Sequence, residues 1–214
     1  MRSEQEMMER ILAVAREDDR VLAAYLKGSR ANPAAPKDRY QDFDVMYVVT
    51  ETAGFLSDTT WLNQFGSIML RQEQDDDFGY GDRFGIRGRS QESYSWLLIF
   101  DDGNRIDIGV ETTACLQSCR NQLFVPLLDK AGCLPPLPPP SDVDFHVKPP
   151  EEKRLYGCCN EFFWSLCDVL KGIARDELPL VMGTYNTLVR NMLEQMLQWY
   201  VGSEQEYQVS CGKG

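Results

Sequence analysis

Seven of the chain's eleven prolines fall between Cys133 and Pro150. No other feature restricts the fold as strongly. Proline fixes φ and lacks a backbone N–H, so neither a helix interior nor a central strand can run through such a stretch. Residues 133–150 are expected to form a semi-rigid linker. The 214 residues then divide into a first domain, 1–148, and a second, 149–214. The apolar patterns on the two sides differ. Before the linker, strand-like runs alternate with short helical ones. After it, apolar residues recur only at helical spacing. The expected fold class is mixed α+β: a mixed β-sheet flanked by helices, followed by an α-helical domain.

In the first domain, Ser3 with Glu6 makes a capping-box pattern, and Met7, Ile11, Val14 and Ala15 follow at helical spacing, predicting a helix that ends near Asp18-Asp19. Val21 to Lys27 reads as a buried strand that stops at Gly28-Ser29-Arg30, and Asn32 to Lys37 as a loop. A second strand spans Asp42 to Val49. A short helix near Thr60 to Phe65 and a strand at Ile68 to Gln72 follow. Gln72 to Gln91 is polar, acidic and glycine-rich, and reads as a mobile loop or lid. Tyr94 to Phe100 and Arg105 to Val110 flank Asp101-Asp102-Gly103-Asn104, which predicts a hairpin. Glu111 to Arg120 reads as a helix. In the second domain, Leu155, Cys159, Phe162, Phe163, Leu166, Leu170 and Ile173 are expected to share one helical face. Pro179 marks the start of a second helix, with Tyr185, Leu188, Met192, Met196 and Trp199 as its face and Gly202 as its stop.

The formal net charge is −11. Such a chain repels a phosphate backbone, so nucleic acid is not expected as substrate or partner, whereas small cations are attracted. The N-terminus is acidic without an apolar core, and no apolar run has the length of a membrane span, which points to a cytoplasmic protein with no membrane partner. The seven cysteines include no paired CxxC and are expected as free thiols. Zinc is disfavoured, because His146 is the sole histidine and adjacent Cys158-Cys159 cannot easily chelate one ion together.

The chemistry concentrates in Gly28-Ser29, a loop, and Asp42-Phe43-Asp44 opening a strand. Residues two apart on a strand project from one face, so Asp42 and Asp44 aim at one spot. Two carboxylates so close repel unless a cation lies between them, and hard oxygen ligands favour magnesium held together with substrate phosphates. Asp107 lies within the apolar strand Arg105-Ile106-Asp107-Ile108, where an acid is costly without a partner. If its strand lies beside that of Asp42, the three acids form a two-metal site. The alternative for Asp107 is a salt bridge with Arg105. Gly28 permits close approach of backbone donors to phosphate, and Ser29 adds a hydroxyl.

Gly28-Ser29-Arg30 with Asn32-Pro33 and Gln41-Asp42-Phe43-Asp44-Val45 resembles the signature of DNA polymerase β-like nucleotidyltransferases. A narrower resemblance runs over essentially the whole chain. The segments Met1-Arg2-Ser3-Glu4-Gln5-Glu6-Met7, Asp101-Asp102-Gly103-Asn104-Arg105-Ile106-Asp107, Cys158-Cys159-Asn160-Glu161-Phe162-Phe163-Trp164, Lys171-Gly172-Ile173 and Arg175-Asp176-Glu177-Leu178-Pro179 are similar to the aminoglycoside 6-adenylyltransferases. The resemblance implies magnesium-dependent transfer of AMP from ATP to the 6-hydroxyl of streptomycin, and with it antibiotic resistance. It implies that Asp42, Asp44 and Asp107 hold the metal, that Asp107 accepts the proton of the attacking hydroxyl, and that Gly28, Ser29 and Arg30 serve the nucleotide. It also implies that the acceptor binds between the two domains. Members of that family continue further, so the chain is expected to stop inside the helical domain, with Lys213 a candidate for the triphosphate. The segment Asp75 to Arg83 departs from the family pattern.

Glu161, Trp164, Asp176 and Glu177 are candidates for holding the guanidinium groups of the acceptor, which pair with carboxylates through parallel N–H···O bonds. The plainer expectations are a solvated acidic face and, for Trp164, a place in the core. Two other functions stay open: transfer to another small acceptor, and nucleotide or drug binding without catalysis. The oligomeric state is not expected to be legible in the sequence.

Overall fold

A computed structural model describes residues 1–73, 91–118, 123–136 and 138–212. The expected lid is thus largely outside the described residues, as is Lys213. The chain divides into two compact units, Met1–Asp144 and Phe145–Lys213.

The first unit is built on a six-stranded mixed sheet. Helix α1 (Glu4–Glu17) starts at the Ser3 capping box: the Glu6 N–H donates to Ser3 Oγ and the Ser3 N–H to Glu6 Oε2. Its Met7, Ile11, Val14 and Ala15 are all buried, as their spacing predicts. Strand β1 (Val21–Lys27) leads into a 3₁₀ turn over Gly28–Ala31, and β2 (Phe43–Val49) returns antiparallel to it. Helix α2 (Ala53–Ser57), a 3₁₀ helix over Thr59–Phe65, β3 (Ile68–Glu73), β4 (Ser93–Phe100), β5 (Arg105–Thr112), α3 (Thr113–Ser118) and β6 (Phe124–Asp129) complete the unit. The strand order is β3-β4-β5-β2-β1-β6, with β2 and β5 parallel and the other pairs antiparallel.

One face of the sheet carries the main core. Phe43, Val45, Tyr47, Val49, Trp96, Leu98, Ile106 and Ile108 pack there against α1 and against Phe55, Trp61, Leu62 and Phe65. Trp61 makes edge contacts with Phe55, Phe65 and Trp96. Strand alternation sends the other residues to the opposite face, where Ala23, Tyr25, Met46, Val48, Leu116 and Phe124 form a smaller cluster. Asp44 and Asp107 follow the parity of this second face.

Two boundaries differ from the sequence expectation. Glu111 belongs to β5 and not to a helix, because Glu111 and Thr112 pair with Val48 and Val49. The Glu111 side chain is buried and accepts a 2.7 Å hydrogen bond from Tyr25 Oη. The sequence carries no clear strand signal at β6, since Pro126 interrupts it; β6 tolerates that proline because it is an edge strand.

The second unit holds α4 (Glu152–Ala174), α5 (Leu178–Thr184), a π-helical segment over Tyr185–Val189, and α6 (Arg190–Glu204). Pro179 lies in the first turn of α5, as predicted. The buried stripe of α4 is narrower than the sequence pattern suggested, running Cys158, Ser165, Val169 and Gly172, with Phe162 and Leu166 half-buried beside it. Phe163, Leu170 and Ile173 are exposed, because helices α5 and α6 and the π segment cover one side of α4 only. Tyr185 and Leu188 are likewise exposed, while Val189 and Trp199 are buried. Cys158 and Cys159 meet Met192 and Met196. Helix α6 passes Gly202 and ends at Glu204; Gly202 serves close packing, since a Cβ there meets the Tyr207 ring and Val147. Among the described residues no helix is long and apolar enough to cross a membrane, and the cysteines found there are free thiols.

Candidate active site

The site is assembled by the parallel pairing of β2 with β5. In that register Asp44 faces Asp107, and on the other side of β2 Lys27 is the partner of Asp44. A row of neighbouring strands therefore carries Lys27, Asp44 and Asp107 side by side, with Asp42 just before β2. Like charges directly across a ladder repel, so the row needs cations.

Arg105 supplies one. It lies two residues before Asp107 on the same face of β5. Its Nε and Nη2 donate to the two oxygens of Asp107 at 2.7 and 2.8 Å, and its Nη1 is 3.3 Å from Asp42 Oδ2. The salt-bridge alternative for Asp107 is thus realised, yet in the company of Asp42 and Asp44. Burial, followed by the charge of Asp107, pushes the Asp44 carboxyl above its ordinary range, against the pull of Lys27. Burial also raises that of Asp42, against the pull of Arg105. Hydrogen bonding to Asp107 raises the Arg105 guanidinium further.

Gly28 makes room for Asp44. It adopts φ +69°, and a Cβ there would lie 2.2 Å from Asp44 Oδ2. The missing side chain is the space in which the Asp44 carboxylate rests. Ser29, in the same 3₁₀ turn, is half-buried. Arg30 stacks over the Phe43 ring at 3.8 Å, donates to the carbonyls of Gln41 and Asp42, and pairs with Glu4. Its guanidinium fastens the end of the 32–42 loop to the glycine turn and so positions Asp42. Sequence reasoning passed over Lys27, whose only signal was its place directly before Gly28, and gave Arg105 no role beyond that of a salt-bridge partner.

In the second unit, Glu161 accepts a 2.9 Å hydrogen bond from Ser165 Oγ. Trp164 is 68% exposed, so it is not part of the core; it lies on the uncovered side of α4. Asp176, with φ +58°, and Glu177 form the turn between α4 and α5. At 1.5 Å per residue, Glu161 and the end of α4 are about 20 Å apart. The four candidate acceptor residues are therefore not gathered at one point.

Asp42, Asp44 and Asp107, the first two with carboxyls raised by burial and by the charge of Asp107, offer the oxygen donors that suit a hard divalent cation. The cation among them is the Arg105 guanidinium. Among the described residues no group of three or more His, Cys, Asp and Glu is arranged to hold a metal ion.

Acids on adjacent parallel strands beside a glycine turn at the end of a mixed sheet are the arrangement that the sequence's resemblance to nucleotidyltransferases implies. The comparisons narrow the class. Residues 1–214 match the family described as streptomycin adenylyltransferase. The chain is 32% identical over 215 residues to an aminoglycoside 6-adenylyltransferase of Campylobacter jejuni, covering 100% of this chain and 72% of that protein. It is 33% identical over 216 residues to one from Bacillus subtilis (strain 168), covering 100% and 74%. A crystal structure of an aminoglycoside 6-adenyltransferase from Bacillus subtilis aligns with 96% of this chain and 70% of its own at 27% identity and a TM-score of 0.48. The chain belongs to the streptomycin adenylyltransferase family and is an adenylyltransferase, an enzyme with ATP as co-substrate.

Proposed function

We propose that the chain transfers AMP from ATP to a hydroxyl of an aminoglycoside, with the 6-hydroxyl of streptomycin as first candidate, and thereby confers resistance. The observation that carries this reading is the meeting of Asp42, Asp44 and Asp107 beside Gly28 in a chain of this family. The relatives named above as aminoglycoside 6-adenylyltransferases support the acceptor class. The net charge of −11 suits a polycationic acceptor.

In this mechanism Asp42, Asp44 and Asp107 would hold magnesium, which when bound would neutralise charge on the ATP phosphates. The Gly28-Ser29 turn keeps Asp44 in place, and Arg30 does the same for Asp42. The acceptor hydroxyl oxygen attacks the α-phosphorus, the bond to the bridging oxygen of the β-phosphate breaks, and pyrophosphate leaves. Asp107 takes the hydroxyl proton once Arg105 has released it, because a carboxylate gripped at both oxygens by a guanidinium is a poor acceptor. Glu161, Asp176 and Glu177 are the acids available to pair with cationic groups of the acceptor.

The test is pyrophosphate release with ATP, magnesium and a panel of streptomycin, other aminoglycosides and no acceptor, with adenylylated drug detected by mass. Release that depends on streptomycin supports the full proposal. Release with a different aminoglycoside alone moves the acceptor. No acceptor-dependent release from the folded chain overturns it.

A further inference from the structure

We infer that Arg105 is an internal counter-cation: it bridges Asp42 and Asp107 when no divalent ion is bound, and such an ion enters the triad only by displacing it. This rests on the triad as the metal site of the proposed function. The donor set suits a hard cation, yet among the described residues no three or more His, Cys, Asp and Glu are arranged to hold one. Arg105 accounts for both facts. Its planar fork satisfies both oxygens of Asp107 and reaches Asp42 Oδ2 at 3.3 Å, so two of the three carboxylates are already engaged by a cation.

Two further features make the contact exchangeable. The Arg105 side chain is 38% exposed, so its guanidinium can swing into water. The only cation bonded to the carboxylates of the triad, among the described residues, is the Arg105 guanidinium; Lys27 is the register partner of Asp44, and Arg30 acts on Asp42 by its charge. The triad keeps an attraction for a more highly charged ion.

A closed state of this kind taxes binding: apparent affinity equals intrinsic affinity multiplied by the open fraction. An open state populated at about a tenth or less lowers affinity at least about tenfold. Manganese binding to the full chain without nucleotide, followed by loss of the free-ion electron-spin resonance signal, measures this. Arg105→Gln is expected to bind manganese at least about tenfold more tightly than the parent. Arg105→Lys, which keeps the charge but loses the fork, is expected to fall between them. Asp44→Asn weakens binding in the parent and Arg105→Gln backgrounds if the ion sits at the triad. Manganese is also expected to raise the melting temperature of Arg105→Gln by more degrees than that of the parent.

Equal or weaker manganese binding by Arg105→Gln overturns the inference and makes Arg105 a support for the carboxylates. If that variant does not fold, Arg105→Lys binding no more tightly than the parent has the same force. Binding absent throughout, or indifferent to Asp44→Asn, overturns the metal reading of the triad together with the inference. A drug-dependent activity that survives alongside tighter binding in the variant leaves both standing.

Discussion

Gly28→Ala tests whether the glycine exists for Asp44. Two penalties follow from the structure. An alanine at φ +69° pays for a left-handed backbone, about 1–2 kcal/mol. Its Cβ would also start 2.2 Å from Asp44 Oδ2 and 2.8 Å from Cγ. Restoring ordinary contact moves the carboxylate by about 1 Å, a displacement of the size that costs roughly 10²-fold in rate. The stability loss is small beside a typical 5–15 kcal/mol, so the variant stays folded. At about 2–4 °C per kcal/mol, the backbone part alone is expected to lower its melting temperature by about 2–8 °C, and the contact with Asp44 adds to that. The assay pairs thermal melting with pyrophosphate release. In an Asp44→Ala background only the Cβ contact at 3.3 Å remains, so the cost of Gly28→Ala should shrink to the backbone part. Near-parent turnover in Gly28→Ala, or an equal stability cost in both backgrounds, would refute the assignment.

Asp44→Asn is expected to abolish transfer with the fold intact, since it removes a charge that burial disfavours and no core volume; measurable turnover near the parent level, with an unchanged melt, counts against the triad. Asp107→Asn should lower kcat by roughly 10²-fold or more while ATP still binds, and an unchanged kcat leaves Asp107 a structural partner of Arg105. Glu111 predicts a pH effect. Burial raises its carboxyl despite the Tyr25 hydrogen bond, so the folded chain keeps that proton to higher pH than the unfolded chain does. Stability then falls as pH rises through the window between the ordinary glutamate value and the raised one. Glu111→Gln, which can still accept from Tyr25, should remove that fall; melts of parent and variant that run parallel from pH 4 to 8 would sink the idea.

The sequence by itself determined what local periodicity and turn chemistry control. The Ser3–Glu6 box and the four apolar residues after it determined α1. The Asp-Gly dipeptide determined the β4–β5 hairpin, where Gly103 takes φ +83°. Strand parity determined that Asp107 and Arg105 share a face. Tertiary structure decided what depends on which strands become neighbours. Parity says where a side chain points and not what it meets, so the parallel register of Asp44 with Asp107, the engagement of Arg105 with two acids, and the use of Gly28 as room for Asp44 came only with the assembled sheet. The same holds for Glu111, a polar residue drawn into a strand because Tyr25 offers it a buried partner. In the helical unit, periodicity marked broad apolar faces on α4 and α6. The stripe that became buried was set by the helices that cover it, because apolar residues are indistinguishable in sequence until a neighbour removes some of them from water.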